Sequence, residues 1–299
     1  MARTNPTLRR RQLAGRLRDM RHASGMTVEQ VAQELLCSPA KISRMETGQR
    51  GVNQRDVRDL CRIYGVTDDR TVSELMALAR EARMPGLRQE YGDLGGNLNT
   101  YLDFEDAATS ISEFQTAFIP SLLQTEDYAR ALIRGMRPLI SPEMLDRRVD
   151  ARIKRQSRLM ASDPPTYWAL MDEAALLRRV GNAETMRAQL DRVLELGDLP
   201  RVTVQVIPFR GGAYMCSDNP FVFLRTRDPT APRVVYLELL TRGEYLEKPE
   251  ELAVYEEAID RIRAAALSPG ESLERIALAR DEFATQVTGR TSAASETLS

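Results

Sequence analysis

Gly25-Met26-Thr27-Val28-Glu29-Gln30-Val31-Ala32-Gln33-Glu34-Leu35-Leu36-Cys37-Ser38-Pro39-Ala40-Lys41-Ile42-Ser43-Arg44-Met45-Glu46-Thr47-Gly48 carries the start and stop signals of two short helices joined by a tight turn. Thr27 is an N-cap, and Gln30 three residues on completes a capping box, in which two orphan backbone donors are satisfied reciprocally. Val28, Val31, Ala32 and Leu35 then recur at offsets of 3, 4 and 7, the stripe that one face of a helix buries. Ser38 caps the next helix, and Pro39 suits its first position because the missing N–H would be unpaired there anyway. Ile42 and Met45 form the inward face of that second helix, which ends at Gly48. Two helices crossing after so short a turn need a small residue at the crossing, and Ala32 supplies it. Upstream, Leu13, Leu17 and Met20 stripe a helix from Leu8 to Ala23, with arginines on its other faces and Ser24-Gly25 as its stop.

This arrangement leaves Ala40, Lys41, Ser43 and Arg44 outward near the N-terminal half of the Pro39–Glu46 helix. A helix half carrying Lys and Arg is the shape that enters a major groove. Arg44 suits a bidentate contact with a guanine edge, while Lys41 and Ser43 suit a phosphate or a neighbouring base, with Pro39 and Thr27 at the two helix starts. The alternative is a surface helix with ordinary solvated charges. The charge distribution favours the first reading. The 299-residue chain is nearly neutral, at −1, yet residues 1–64 hold thirteen Arg and Lys against six Asp and Glu, a net +7 that leaves −8 on the rest. A basic head on an acidic body suits an anionic partner for the head. Arg9, Arg10, Arg11, Arg50 and Arg55 are the arginines expected to neutralise phosphates.

The rest of the composition narrows the class further. With 42 % hydrophobic and 28 % charged residues, the chain is globular and long enough for two domains. No apolar run is long enough to cross a bilayer, and the arginine-rich start has no apolar signal core behind it, so a cytoplasmic protein is expected. Three cysteines (Cys37, Cys61, Cys216) argue against a disulfide framework, and Cys37 and Cys61 read as small core residues. The single histidine, His22, excludes schemes that need two imidazoles. There is no P-loop, Rossmann glycine fingerprint or nucleophile elbow, so no enzyme, cofactor or metal is expected.

The run Gly25-Met26-Thr27 … Val31-Ala32 … Ser38 to Gly48 resembles the Xre-type (Cro/repressor-like) helix-turn-helix. The resemblance implies a five-helix domain completed by Asn53–Tyr64 and Asp68–Arg83. It also implies an ion pair between Glu46 and Arg21 that orients the arginine beside the DNA backbone. Val28 stands where many members carry a glutamine that touches phosphate, so that contact is expected to be absent. Leu36 stands where the turn prefers glycine. If the backbone there is left-handed, leucine costs on the order of 1 kcal/mol, and either a shifted turn or a tolerated strain is expected.

Beyond a loop or linker at 85–100, the expected elements are helices at Ala107–Phe118, Glu126–Met136, Pro142–Met160, Ala183–Leu196, Pro249–Leu267 and Gly270–Phe283. Strands are expected at Thr166–Met171, Val202–Phe209, Phe221–Thr226 and Val234–Leu240. The fold class is therefore mainly α with a smaller α+β part: a five-helix head over 1–84, an α+β domain over 101–284 and a disordered tail over 285–299. The segment Ile119-Pro120-Ser121-Leu122-Leu123-Gln124-Thr125-Glu126-Asp127-Tyr128-Ala129-Arg130, with Arg152 … Arg155-Gln156, Asp172-Glu173-Ala174-Ala175-Leu176 and Val204 to Phe209, is similar to the uncharacterised domain attached to Xre-type heads in actinobacterial regulators. That resemblance implies a transcriptional regulator binding a double-stranded operator, expected as a homodimer. Its body is expected to dimerise, to sense a small-molecule effector or to capture a small protein partner in the manner of an antitoxin. Trp168, Phe209, Tyr214 and Tyr236 are candidate pocket residues for such an effector, against the plainer reading of aromatic core. Cys216, in a Gly-rich loop, is the better candidate for a reactive thiol. Asp172-Glu173 reads as a helix cap rather than an acid/base pair.

Overall fold

The computed structural model describes residues 6–84, 96–226 and 233–296. The stretch 85–95, expected to be a loop, lies outside them. The chain divides into two compact units, one made of residues 1–107 with 226–232 and the other of 108–225 with 233–299.

In the first unit, α1 (Pro6–Ala23), α2 (Val28–Glu34), α3 (Pro39–Glu46), α4 (Gln54–Ile63) and α5 (Asp69–Glu81) surround one core. Thr27, Ser38, Asn53 and Asp68 cap α2 to α5, each side chain accepting the backbone N–H three residues on. Leu13, Leu17, Val31, Ile42, Met45, Val57, Leu60 and Leu75 fill the core, with Ala32 and Cys61 buried among them and Cys37 packed against them. Gly25 and Gly48 end α1 and α3 with φ of 70°, a left-handed geometry that glycine adopts without strain. Leu36 also turns left-handed, at φ 51°, so the turn keeps its geometry and carries the strain. A sixth helix, α6 (Gly96–Ala107), begins inside the expected linker. It buries Tyr101, Leu102 and Phe104, and the Arg11 guanidinium of α1 stacks 4.8 Å from the Phe104 ring centre.

The second unit is built on a six-stranded sheet of β1 (Ala108–Gln115), β2 (Thr166–Asp172), β3 (Val202–Ile207), β4 (Phe221–Thr226), β5 (Arg233–Glu238) and β6 (Gly243–Leu246), in the order β3-β2-β1-β4-β5-β6. β1, β2 and β3 pair in parallel, which requires crossovers. The helices α7 (Glu126–Met136) and α8 (Pro142–Gln156) make the first, and the one-turn α9 (Ala174–Leu177) with α10 (Ala183–Gly197) makes the second. β4, β5 and β6 form an antiparallel meander. Helix α11 (Pro249–Ala265) covers one sheet face, where Leu252, Ile259 and Ile262 pack on Phe114, Leu170, Ile207, Phe221, Phe223 and Val235. Helix α12 (Pro269–Glu296) packs on α10 and closes the edge at β3, where the Ser272 hydroxyl accepts the Val206 N–H.

Two further expectations are corrected, and one strand is added. Within 107–118, whose apolar spacing predicts a helix, residues 108–115 form β1, because Ile111 and Phe114 bury on opposite faces of a central strand. β6 follows an expected strand without a separate signal of its own. Residues 285–296, whose composition predicts disorder, continue α12 as helix, since an alanine-bearing segment propagates a helix already nucleated upstream.

Candidate nucleic-acid interface

Helix α3 is only eight residues long, so its posture depends on what holds it. At its start Ser38 Oγ accepts the Lys41 N–H at 3.2 Å. Ile42 and Met45, each 1 % exposed, anchor its inner face. Near its end the buried Glu46 carboxylate accepts Arg21 Nε at 2.8 Å and Arg21 Nη2 at 2.9 Å. Arg21 Nη1 donates to the Met26 carbonyl at 3.0 Å. The hydrogen bond from Glu46 raises Arg21 above the ordinary arginine value against the opposing effect of burial. One two-pronged ion pair thus ties α1, the loop before α2 and α3 together.

On the outer face Pro39, Ala40, Ser43, Arg44 and Thr47 are exposed. Arg44 Nε donates to the Ala40 carbonyl at 3.1 Å, which lays the side chain back toward the start of α3. Its two Nη groups make no hydrogen bond among the described residues. A guanidinium held at Nε with its outer donors open matches the paired O6 and N7 acceptors of guanine in a major groove. Thr27 is exposed at the start of α2, where its hydroxyl accepts the Gln30 N–H at 3.2 Å and keeps its own proton for an outside acceptor. Arg50 is exposed just past α3, and its N–H bonds the Arg44 carbonyl at 2.9 Å.

Lys41 and Arg10 stand elsewhere than the sequence suggests, and Arg21 stands in the expected pair with Glu46. Lys41 is partly buried, with Nζ 3.3 Å from Asp56 Oδ1 on α4, so its ammonium fastens α3 to α4 rather than pointing outward. Arg21 is buried, which fits the orienting pair and leaves it no open face for phosphate. Arg10 is partly buried, and its Nε is enclosed without a hydrogen-bond partner among the described residues. Asp56 carries no local signal of its role, because α4 meets α3 only through the tertiary fold.

Residues 12–75, from within α1 to most of α5, match the family described as a helix-turn-helix domain. Residues 98–277, from α6 into α12, match the family described as a domain of unknown function, DUF5753. The chain belongs to the DUF5753 family. No curated protein and no solved structure matches the chain. The helix-turn-helix domain makes the head a DNA-binding unit of the regulator class, with an α+β DUF5753 domain after it. Among the described residues no helix is long and apolar enough to cross a membrane.

In the DUF5753 domain the four candidate pocket aromatics do not converge. Trp168 Nε1 donates to Gln205 Oε1 at 2.8 Å, and the Arg263 guanidinium lies 3.7 Å from the Trp168 ring centre. Tyr214 donates to Asp172 Oδ2 at 2.7 Å, and burial followed by that carboxylate pushes its phenol up. Both residues flank the core under α11. Tyr236 pairs with Val222 and alternates with Val235, which puts it on the opposite sheet face, where its ring stacks on Tyr245 at 5.1 Å. Phe209 is 56 % exposed on a single turn of 3-10 helix. The sheet therefore separates Tyr236 from Trp168 and Tyr214. Burial, then Asp218, pushes the Cys216 thiol up, the reverse of an activated thiolate. Asp172 Oδ1 caps α9 by accepting the Ala174 N–H at 2.8 Å, and Glu173 instead takes Arg275 Nε at 2.6 Å.

Proposed function

We propose that this protein is a sequence-specific transcriptional regulator. A two-fold homodimer presents two copies of α3 to successive major grooves of a near-palindromic operator, with half-sites about 10 bp apart or a multiple of it. The DUF5753 domain transmits an effector or partner signal to that binding. The observation that carries the reading is Arg44: exposed, seated on its own helix through Nε, with both Nη groups without a hydrogen bond among the described residues, on a helix whose inner face is locked into the core. Ala40 and Ser43 share the outer face and are small enough to admit close approach to base edges.

The test begins with an operator selected from a random duplex pool by the full chain. Competition binding then compares that operator with random duplex. Arg44→Ala lowers the preference for the operator by about 1–3 kcal/mol, whereas Arg50→Gln weakens both duplexes alike. Unchanged specificity in Arg44→Ala removes α3 from the groove and overturns the reading.

A further inference from the structure

Two parts of the DUF5753 domain that lie far apart in sequence, the 119–125 segment and the Arg152 … Arg155-Gln156 end of α8, meet on the sheet face opposite α11. Gln124, 2 % exposed, is the hub. Its Nε2 donates to the Ile119 carbonyl at 2.6 Å, its Oε1 accepts Arg152 Nη1 at 2.7 Å, and its carbonyl accepts the Gln156 amide. Arg155 Nη2 donates to Ser121 Oγ at 3.2 Å. Beneath them Glu113 on β1 accepts the Ser121 N–H at 3.0 Å and the Tyr167 hydroxyl at 2.8 Å.

Arg148, Arg152 and Arg155 recur at i, i+4 and i+7, the spacing that brings side chains to one side of α8. The charges that act on Arg152 are Arg155 and Arg148 against Glu238 and Glu113. No carboxylate of the described residues lies within ion-pair distance of Arg152. Of its five N–H donors, only the one to Gln124 is used among those residues. Protein crowds this guanidinium closely enough for burial to pull it down to about 10. Its side chain nevertheless keeps solvent-accessible surface, and its other nitrogens are not sealed in. A partly exposed cation packed round by protein, with spare donors and no carboxylate partner among the described residues, has a fork of N–H groups left for an anion from outside.

We propose that this cluster binds a small anion, with the Arg152 guanidinium clasping a carboxylate or phosphate group and Gln124 holding Arg152 in position. The site goes beyond the DNA-binding reading and does not depend on it. A planar fork of donors favours such groups over chloride, because two oxygens of one ligand are bonded at once.

Thermal melting of the full chain tests this with inorganic phosphate and with acetate, at ionic strength held constant with sodium chloride to cancel general screening. Binding to the folded state alone raises Tm as anion concentration rises above Kd. The wild type and Arg147→Gln, a change on the exposed side of α8, both show the rise, and Arg152→Gln loses it. Absence of a rise in the wild type with either anion, or an equal rise in Arg152→Gln, overturns the proposal. Should Arg152→Gln fail to fold, phenylglyoxal footprinting of the unmutated chain decides. Phosphate protects Arg152 while Arg147 continues to react, and undiminished labelling of Arg152 overturns the site. Operator affinity is a separate readout, so failure of the anion site and failure of the DNA reading are distinguishable.

Discussion

Leu36 pays for its backbone conformation without recompense from packing, since its side chain is 93 % exposed at φ 51°. Left-handed backbone costs an ordinary residue about 1–2 kcal/mol, and the greater freedom of glycine in the unfolded chain takes back about 0.5–1 kcal/mol. Leu36→Gly therefore stabilises the head by roughly 0.5–1 kcal/mol, read as a higher urea midpoint at unchanged slope. The departure from glycine is visible in the sequence, but its resolution is not, because only the fold decides whether the turn shifts or bears the strain. Glu46 presents the opposite case. It shares a buried, two-pronged bond with Arg21, so Glu46→Ala strands a buried guanidinium and costs about 3–5 kcal/mol. The same urea titration registers this as a lower midpoint.

Helix α3 was legible because every signal it needs is local: Ser38 caps it, Pro39 opens it, Ile42 and Met45 give it an inner face, and Gly48 stops it. Loss of the cap in Ser38→Ala removes the side-chain acceptor of the Lys41 N–H, leaving it only the Ser38 carbonyl, and costs about 1 kcal/mol. Circular dichroism melts of the wild type and the variant measure that loss. Strand β1 was illegible for the converse reason. As a central strand it is buried on both faces, so no polar alternation marks it. Ser112 and Glu113 are buried there because other elements satisfy them: Tyr167 and Ser121 bond Glu113, and Arg263 reaches Ser112. Ile111, Phe114 and Phe118 then mimic helical spacing. The Arg152 cluster escaped for a related reason, since Gln124 and Arg152 are joined by a contact across 28 residues that no periodicity announces.

The division of charge, +7 on residues 1–64 and −8 beyond, has consequences for the chain as a whole. Part of the acidic excess is structural: Glu173 joins the end of β2 to α12 through Arg275, and Glu256 joins α11 to β4 and β5 through Arg225 and Arg233. Burial raises both carboxyls, but the Phe209 N–H with Arg275, and Arg233 with Arg225, outweigh it and leave both below the usual range. A depressed carboxylate stabilises the fold above its unfolded value of about 4.3 and ceases to do so as pH falls through the lower folded value. The Tm gap between the wild type and Glu173→Gln is therefore fully open at neutral pH and closes as pH falls below the ordinary glutamate value.

The basic excess in the head is likewise smaller in effect than its count. Arg16 pairs with Glu74, Arg21 with Glu46, Lys41 with Asp56 and Arg62 with Asp59, so these cations already have counterions and displace few from DNA. Arg50 is exposed beside α3 and takes no part in those pairs. Each phosphate neutralised contributes about −0.9 to the slope of log K against log salt. Arg50→Gln consequently makes that slope shallower by about 1 for operator and random duplex alike, measured by fluorescence anisotropy over a salt series. The paired Arg62→Gln leaves the slope unchanged. Equal slopes for the wild type and Arg50→Gln place Arg50 off the backbone and turn the phosphate-contacting surface away from the end of α3.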